Sequence, residues 1–539
     1  MAYALNPKTT IRAGAGMYFD HFGQGIVNSM DELGSFGLSS SVGSTPEIDT
    51  VQIAPRMTGP HGIPALAGCA APASTIQYPF TPSTVQGCDF ANAWGIDSQL
   101  KTPYSYALDL SLQRELRAGF TLEANYVGRL GRHLLEQVDL AEPVNLVDAK
   151  GGGDYFTAGT KLSKASDANC GSYFGVDSGS KSNCSGVTPT APVHVQDIPY
   201  FDDIFPQMAN LDYTGETATD GLYNNEWAPY RYDYGATTSL QDVDVNCYYG
   251  CSNGPQFFSK QFAALYAWSS VGTSSYHALQ VILRHPSSHG LTVDFNYTLS
   301  KSLDIGSGAE RSNEMNATNY NSYGSILNSW NPKLNKSVSD FDTHHMITLD
   351  WVYKVPVGHG KAVLGNSNRL LDAVVGNWQW SGLSRWTSGL PFSVLEPGYT
   401  TDWQQTGFAV VTDRSQVKTA RHLVNGVPQV FAGNEASTMN AGIYSGTPIR
   451  LPYPGEAGQR NAFRGDGYFD IDSSLSKNWA LPGHVKLQLT GEVYNVGNNV
   501  RFDCSPYNLN SGLSQGSFGA YSGTLSTYRR MQFGLRLDF

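Results

Sequence analysis

Along most of this chain apolar and polar residues alternate with a period of two, and nothing in the sequence competes with that pattern. From Thr10 to Phe19 the residues Ile11, Ala13, Ala15, Met17 and Phe19 fall on one face, with Arg12, Gly14, Gly16 and Tyr18 on the other. Successive side chains of a strand project to opposite sides, so such a stretch is a strand with one apolar face. The same reading covers Tyr106–Gln113, Phe120–Tyr126, Leu279–Arg284, Leu291–Ser300, Ile347–Lys354, Trp378–Trp386, Phe469–Lys477, Val485–Val493 and Met531–Phe539, about ten long strands in all. The longest uninterrupted apolar run is Phe262–Trp268, seven residues. A membrane-spanning helix needs ~20, so a helical membrane protein is excluded.

The connections say what kind of sheet this is. Long segments, about 20–101, 131–272, 302–341, 389–467 and 496–528, alternate with short ones at Glu115–Gly119, His285–Gly290 and Asn478–Gly483; Pro356–Gly376 is the one link of medium length. Tight turns on one side and extended loops on the other describe an antiparallel transmembrane β-barrel with long extracellular loops. Composition agrees. Charged residues make up only 15% and aromatics 12%, against roughly 25% charged in soluble domains. The apolar faces carry no charge over the central residues of most strands, while the opposite faces are rich in Ser, Thr, Asn, Gln and Asp. Trp351, Tyr353, Trp378, Trp380, Trp386, Tyr126 and Tyr494 sit near strand ends, where interfacial girdles form. A net charge of −11 excludes a general nucleic-acid binder, which needs a basic surface.

Cys69/Cys88, Cys170/Cys184 and Cys247/Cys251 are sequence neighbours in Gly- and Ser-rich long loops. Without Cys-x-x-Cys spacing or a nearby His pair they read as loop disulfides rather than zinc ligands, with free thiols as the alternative. Cys504 is left over. Asp340, Asp342 and His344 alternate on one face of an incoming strand, a spacing suited to a metal or to hydrogen bonds at a polar strand end. Tyr223, Trp227, Tyr230, Tyr232, Tyr234, Tyr248 and Tyr249 offer ring faces to a saccharide or other flat ligand, or pack a large loop on itself. Asp109, Glu123, Asp294, Asp350 and Glu492 face the lumen and pair with Arg12, Arg284, Lys354 and Arg536 in cross-strand ladders. No Gly-x-Ser-x-Gly, phosphate-binding loop or His-Glu-x-x-His occurs, so neither an enzyme nor a cofactor is expected.

Thr10–Asp20, Pro103-Tyr-Ser-Tyr, Gln113-Arg-Glu, Tyr126-Val-Gly and Gly131-Arg-His-Leu resemble the barrel of TonB-dependent outer-membrane receptors, in particular the subgroup with a carboxypeptidase-regulatory-like N-terminal domain. Ser275–Gln280, His289-Gly-Leu, Tyr297–Ser302, Asp340–His344, Ser388–Phe392, Asp472–Lys477 and Glu492–Val496 continue the likeness in order. The resemblance implies the outer membrane of a Gram-negative bacterium, contact with its lipid, and energised uptake of a large solute, a saccharide or metal complex, through an inner-membrane energy coupler. Barrels of that kind have about 22 strands around a plug. Here neither a plug, a coupling box nor a signal peptide is found, and the expectation is a C-terminal barrel portion that partners a missing N-terminal half. Its sheet is expected to be curved and incompletely closed, without a ladder between Ile11–Met17 and Met531–Leu537. The competing class is a secreted all-β structural or ligand-binding protein, a sandwich or fibre former.

Overall fold

A computed structural model describes residues 1–20, 91–169, 192–245, 248–250, 256–258, 262–288, 290–307, 326–395, 407–431, 448–505, 508–513 and 518–539. Its frame is a thirteen-stranded sheet, with an unbroken path through eleven of the strands. In chain order the path runs β1 (Ala2–Asn6), β2 (Thr9–Phe19), β4 (Tyr104–Glu115), β5 (Thr121–Asp139), β6 (Phe262–Ser288), β7 (Leu291–Asp304), β9 (His345–Lys354), β10 (Trp378–Thr387), β17 (Tyr468–Ala480), β18 (Lys486–Tyr494) and β19 (Arg530–Asp538). Neighbours on it pair antiparallel, whereas β3 (Ala91–Ile96) joins the upper part of β6 in parallel and β8 (Ser337–Val338) joins β7.

The register follows from the apolar period. Trp380 stands opposite Tyr353 and Leu475, Leu475 opposite Gly491, and Gly491 opposite Phe533, so one face collects these side chains. That face stays uncovered, with Phe533 78% exposed and Trp380 46%. On the other face Asp294 meets Asp350, and Leu383 joins Asp350 to Asp472. Sliding any strand by one residue would exchange the two faces.

Among the described residues β1 and β19 are the two edges of the path, and no ladder joins the first strands to the last, as the sequence led us to expect. Three features go beyond the alternation. The edge strand β1 is too short to show a period, and it is turned into β2 by Asn6, whose Oδ1 accepts from Lys8 N at 2.9 Å. Both β5 and β6 continue past Gly131 and Gly272 into the expected loop, β6 reaching 27 residues, far more than the 9–11 that cross a bilayer. The link Pro356–Gly376 carries a helix, Arg369–Val375, capped by Asn368 Oδ1 on Leu371 N at 2.8 Å.

Trp351 stands opposite Gly382 on the uncovered face, and its indole occupies the space a side chain there would take. A Cβ at Gly382 would collide with the indole and sit 2.6 Å from Asp472 O, whereas one at Gly534 meets nothing within 4 Å. Overpacking of this kind costs about 1–3 kcal/mol. Gly382→Val should therefore lower the midpoint of the heat-induced gel-mobility shift, and Gly534→Ala should leave it unchanged; equal midpoints would remove the indole contact from the account.

Candidate functional site

Two folded modules stand at the end of the sheet where the long connections emerge. The first, within residues 140–258, is helical. Helices Tyr155–Asn169, Pro199–Ile204, Ala218–Leu222 and Ala228–Asp244, with a single π-turn at Tyr223–Trp227, close on a core in which Tyr200, Phe201, Leu222, Tyr223 and Trp227 are fully buried. Burying Trp227 requires a partner for its N–H, and Ser163 Oγ accepts it at 3.1 Å. The Asp244 carboxylate accepts from the backbone N–H groups of Gln256, Phe257 and Phe258, tying that segment to the helix end. Burial nevertheless pushes Asp244 up from the usual carboxylate range. Among the described residues the Glu226 carboxyl receives the Tyr249 hydroxyl, at 2.7 Å, and its burial pushes it up to about 8.

The second module is built from three two-stranded ribbons. β11 (Pro391–Phe392) pairs with β16 (Phe463–Arg464), β12 (Val410–Val411) with β15 (Ile449–Arg450), and β13 (Thr419–Val424) with β14 (Val427–Phe431). Ribbons this short are not stable alone. They share an aromatic core: Phe431 stacks on Phe518 at 5.2 Å and meets Phe463 edge-on at 5.6 Å, and Phe463 stacks on Phe392 at 5.8 Å. Cys504 is buried in that core as a free thiol, its Sγ 3.7 Å from the Tyr521 hydroxyl, and burial raises its pKa.

One segment, 448–464, pins both modules to the sheet. Arg460, only 2% exposed, pairs with Asp304 at the end of β7 and, at 3.2 Å, with Asp340. Arg464 pairs with Asp342, which also accepts from Ser302 N at 2.6 Å. Asn461 Nδ2 donates to Val338 O and to Asp340 Oδ1. Toward the helical module, the Tyr453 hydroxyl donates to Asp167 Oδ2 at 2.9 Å, while Arg450 stacks over the Tyr453 ring at 4.0 Å and forks onto Glu456. Beside Arg460 is a cavity of about 220 Å³ with Asp340, Phe392, Phe408, Asn461 and Cys504 in its lining. Farther along the strands, the polar face holds a cleft of about 380 Å³ lined by Asp294, Asp350, Asp472, Glu492, Ser381, Ser474 and Tyr494.

The residues singled out in the sequence fall unevenly on this geometry. Asp340, Asp342 and His344 are not drawn into one cluster: the two carboxylates face separate arginines, His344 lies edge-on to His345 at 4.7 Å, and among the described residues no group of three or more His, Cys, Asp or Glu is placed to hold a metal. Of the aromatic set, Tyr223 and Trp227 are core, Tyr249 is packed against that core with its hydroxyl on Glu226, Tyr230 is half-buried, and Tyr248 is exposed. Tyr232 and Tyr234 lie on the helix Ala228–Asp244. Tyr223, Trp227 and Tyr249 thus belong to the inside of a helical module and do not share an open stacking surface with the exposed Tyr248. Of the expected ladders, Arg284 reaches Asp294 at 3.2 Å and Glu123 at 3.7 Å, while Arg536 pairs along its own strand with Asp538. Cys69, Cys88, Cys170, Cys184, Cys247 and Cys251 lie outside the described residues. Arg460 and Arg464 were not foreseen, because their carboxylates are more than a hundred residues away in sequence.

Residues 1–532 match the family model described as outer membrane beta barrel domain. No protein of curated function matches the chain. Among solved structures it is similar to a mutant of the ferric enterobactin receptor PfeA from Pseudomonas aeruginosa, at 10% identity and a TM-score of 0.34, over 99% of this chain and 38% of that one. It is similar also to the outer membrane transporter YddB from Escherichia coli, at 11% identity and a TM-score of 0.32, over 83% and 34%. The pyoverdine outer membrane receptor FpvA from Pseudomonas aeruginosa PAO1, bound to pyoverdine, gives 10% identity and a TM-score of 0.32, over 100% and 35%. The chain thus spans about a third of the length of these structures.

Two outcomes follow from the pinned roof. Removing one partner of a buried ion pair costs roughly 3–5 kcal/mol, so Arg460→Met should expose residues 448–465 to protease in protein that keeps its heat-modifiable mobility; an uncut segment would make the pair dispensable. Glu226 binds its proton more tightly folded than unfolded, where a carboxyl titrates near ~4.3. Its contribution is complete below that value and is lost as pH rises through about 8. Hydrogen exchange of Ala218–Asp244 should accelerate between pH 7 and pH 9 beyond the intrinsic rate, and Glu226→Gln, which mimics the protonated acid, should abolish the extra acceleration; an unaltered profile in the variant would assign it to another group.

Proposed function

Because the chain belongs to the outer membrane beta-barrel domain family, we propose that it forms wall and roof of an outer-membrane receptor that takes up a large solute. Its place is the outer membrane of a Gram-negative bacterium, which fits a sheet with one face apolar and uncovered. We read the end carrying the two modules as extracellular and the end carrying the short links as periplasmic, the usual arrangement of such barrels. The observation that carries the receptor reading is the division of labour across the sheet. One face is apolar and uncovered, the other is polar and carries a cleft, and folded modules rather than short turns stand at the end where the long connections emerge. A sandwich would need a second sheet over the apolar face, and among the described residues none covers it.

On this reading the protein binds and passes its solute without transforming it. Transport in the energised manner of TonB-dependent receptors, of the subgroup with a carboxypeptidase-regulatory-like domain, is the mechanism we favour, and it makes the inner-membrane coupler the partner of the whole barrel. The wall carries Asp294, Asp350, Asp472 and Glu492 around one cleft. Like charges gathered on one surface repel anions and attract cations, so the solute is a neutral saccharide or a metal complex without net negative charge. Cells producing the protein should accumulate such a solute, and a proton-motive-force uncoupler should stop accumulation while surface binding persists. Accumulation that continues under the uncoupler would make the protein a passive pore.

A further inference from the structure

We propose that the helix Arg369–Val375 and the lipid-facing groove beside it form a seat for an anionic phospholipid of the periplasmic leaflet. The inference rests on the membrane placement above. Three side chains of the apolar face reach out of the sheet to hold this helix. Trp378 Nε1 donates to Val374 O at 2.9 Å, Trp479 Nε1 donates to Ala373 O at 2.7 Å, and Lys477 Nζ donates to Gly376 O. Trp378 and Lys477 stand opposite each other in the ladder, on the same face as Trp380 and Leu475. The last carbonyls of the helix are therefore satisfied from the lipid side, which fixes it against the outside of the wall rather than under the lumen. Lys477 lies buried between the Trp378 and Trp479 rings, 5.2 and 5.1 Å away, an apolar stem with its charge drawn toward the interface.

Held in this way, the helix turns its apolar side outward. Leu370 is 81% exposed, Val374 66% and Leu371 42%. Leu370 and Val374 are four residues apart and so share a face. Aliphatic side chains on a short interfacial helix bury themselves at the headgroup–acyl boundary. The exposed charges of the link, Lys361 and Arg369, are both cationic, while its acid, Asp372, is turned inward to accept from His359 N at 2.6 Å. That sign pattern suits a phosphate headgroup. Next to Trp378 on the same face, an open groove of about 710 Å³ lies between Trp351, Tyr353 and Trp380, with Ser384 and Ser473 giving it depth. Trp380 directs its N–H onto Ser473 Oγ at 2.9 Å, which leaves the groove walled by ring faces for an acyl chain.

The test uses the full-length protein in the outer membrane of cells grown with labelled phosphate. A photoreactive benzophenone side chain is placed at Leu370, at the lumen-facing Ser381, or at the exposed Phe533 of β19. Illumination should attach a labelled glycerophospholipid at Leu370 at least about fivefold above the level at Ser381, and Leu370→Glu or Val374→Glu introduced beside a probe at Leu371 should reduce the adduct there by a similar factor. Lipid adducts at Phe533 but not at Leu370 would overturn the seat and leave the membrane reading intact. Adducts at neither position would overturn both. An adduct at Leu370 to the glycolipid of the outer leaflet would place the helix on the opposite side and likewise overturn the seat.

Discussion

Everything in this molecule hangs on the backbone ladder that runs without a break from β1 to β19. In hydrocarbon an unpaired N–H or C=O costs several kcal/mol because no water is there to satisfy it. A strand can therefore enter lipid only with a neighbour on each side. The nine inner strands of the path meet that condition. Among the described residues the two edges do not: Ala2–Asn6 and Arg530–Asp538 each have a paired neighbour on one side only. Because register and pleat are set by the same ladder, it also sorts side chains: once Trp380 is paired with Leu475, Leu383 has no choice but to stand beside Asp350 and Asp472.

The sorting explains what was legible in the sequence. Where only one face of a strand is buried or immersed in lipid, the period of two survives, and β2, β4, β7, β9, β10, β17, β18 and β19 could be read within a few residues. It fails where surroundings are the same on both sides. The upper part of β5 is buried all round, with Glu136, Gln137, Val138 and Asp139 in sequence and each at most 4% exposed, so polar and apolar positions no longer differ by face. The helical module fails for a related reason. Two of its helices, Pro199–Ile204 and Ala218–Leu222, are only six and five residues long, and residues such as Leu222, Tyr223 and Trp227 are all buried in one core, leaving no stripe of period 3.6 to find there. The tyrosines among them look like a binding surface in sequence because nothing local says that a core will close over them.

The candidate site shows the same limit in chemical form. Alternation does bring Asp340 and Asp342 onto the same stretch, and a cation does answer each of them. The cations are arginines delivered by a loop that is remote in sequence, not a metal. A carboxylate spacing reports that charge must be neutralised but not by what, and a guanidinium reaching two or three oxygens in a fork does so without a coordination sphere. The lumen wall was easier to read, because its acids lie on strands whose faces were already assigned.

The attachments of the roof are concentrated, and this bears on how such a structure moves. The β module meets the sheet through Arg460, Asn461 and Arg464, and meets the helical module through Tyr453, all within fourteen residues of Arg450. Elsewhere the two modules keep their own cores, one aromatic and ribbon-based, one helical. Cores of that kind resist deformation, while a handful of polar contacts exchange for water at far smaller cost when a path for water exists. The segment 448–464 carries β15 and β16 of the β module's own core as well as these contacts, so in any displacement of that module the segment travels with it and the ion pairs to Asp304, Asp340 and Asp342 are the contacts that break. The pair Arg460–Asp304 weighs most in that cost, since both of its side chains are at most 6% exposed, whereas Arg464 and Asp340 stand partly in solvent.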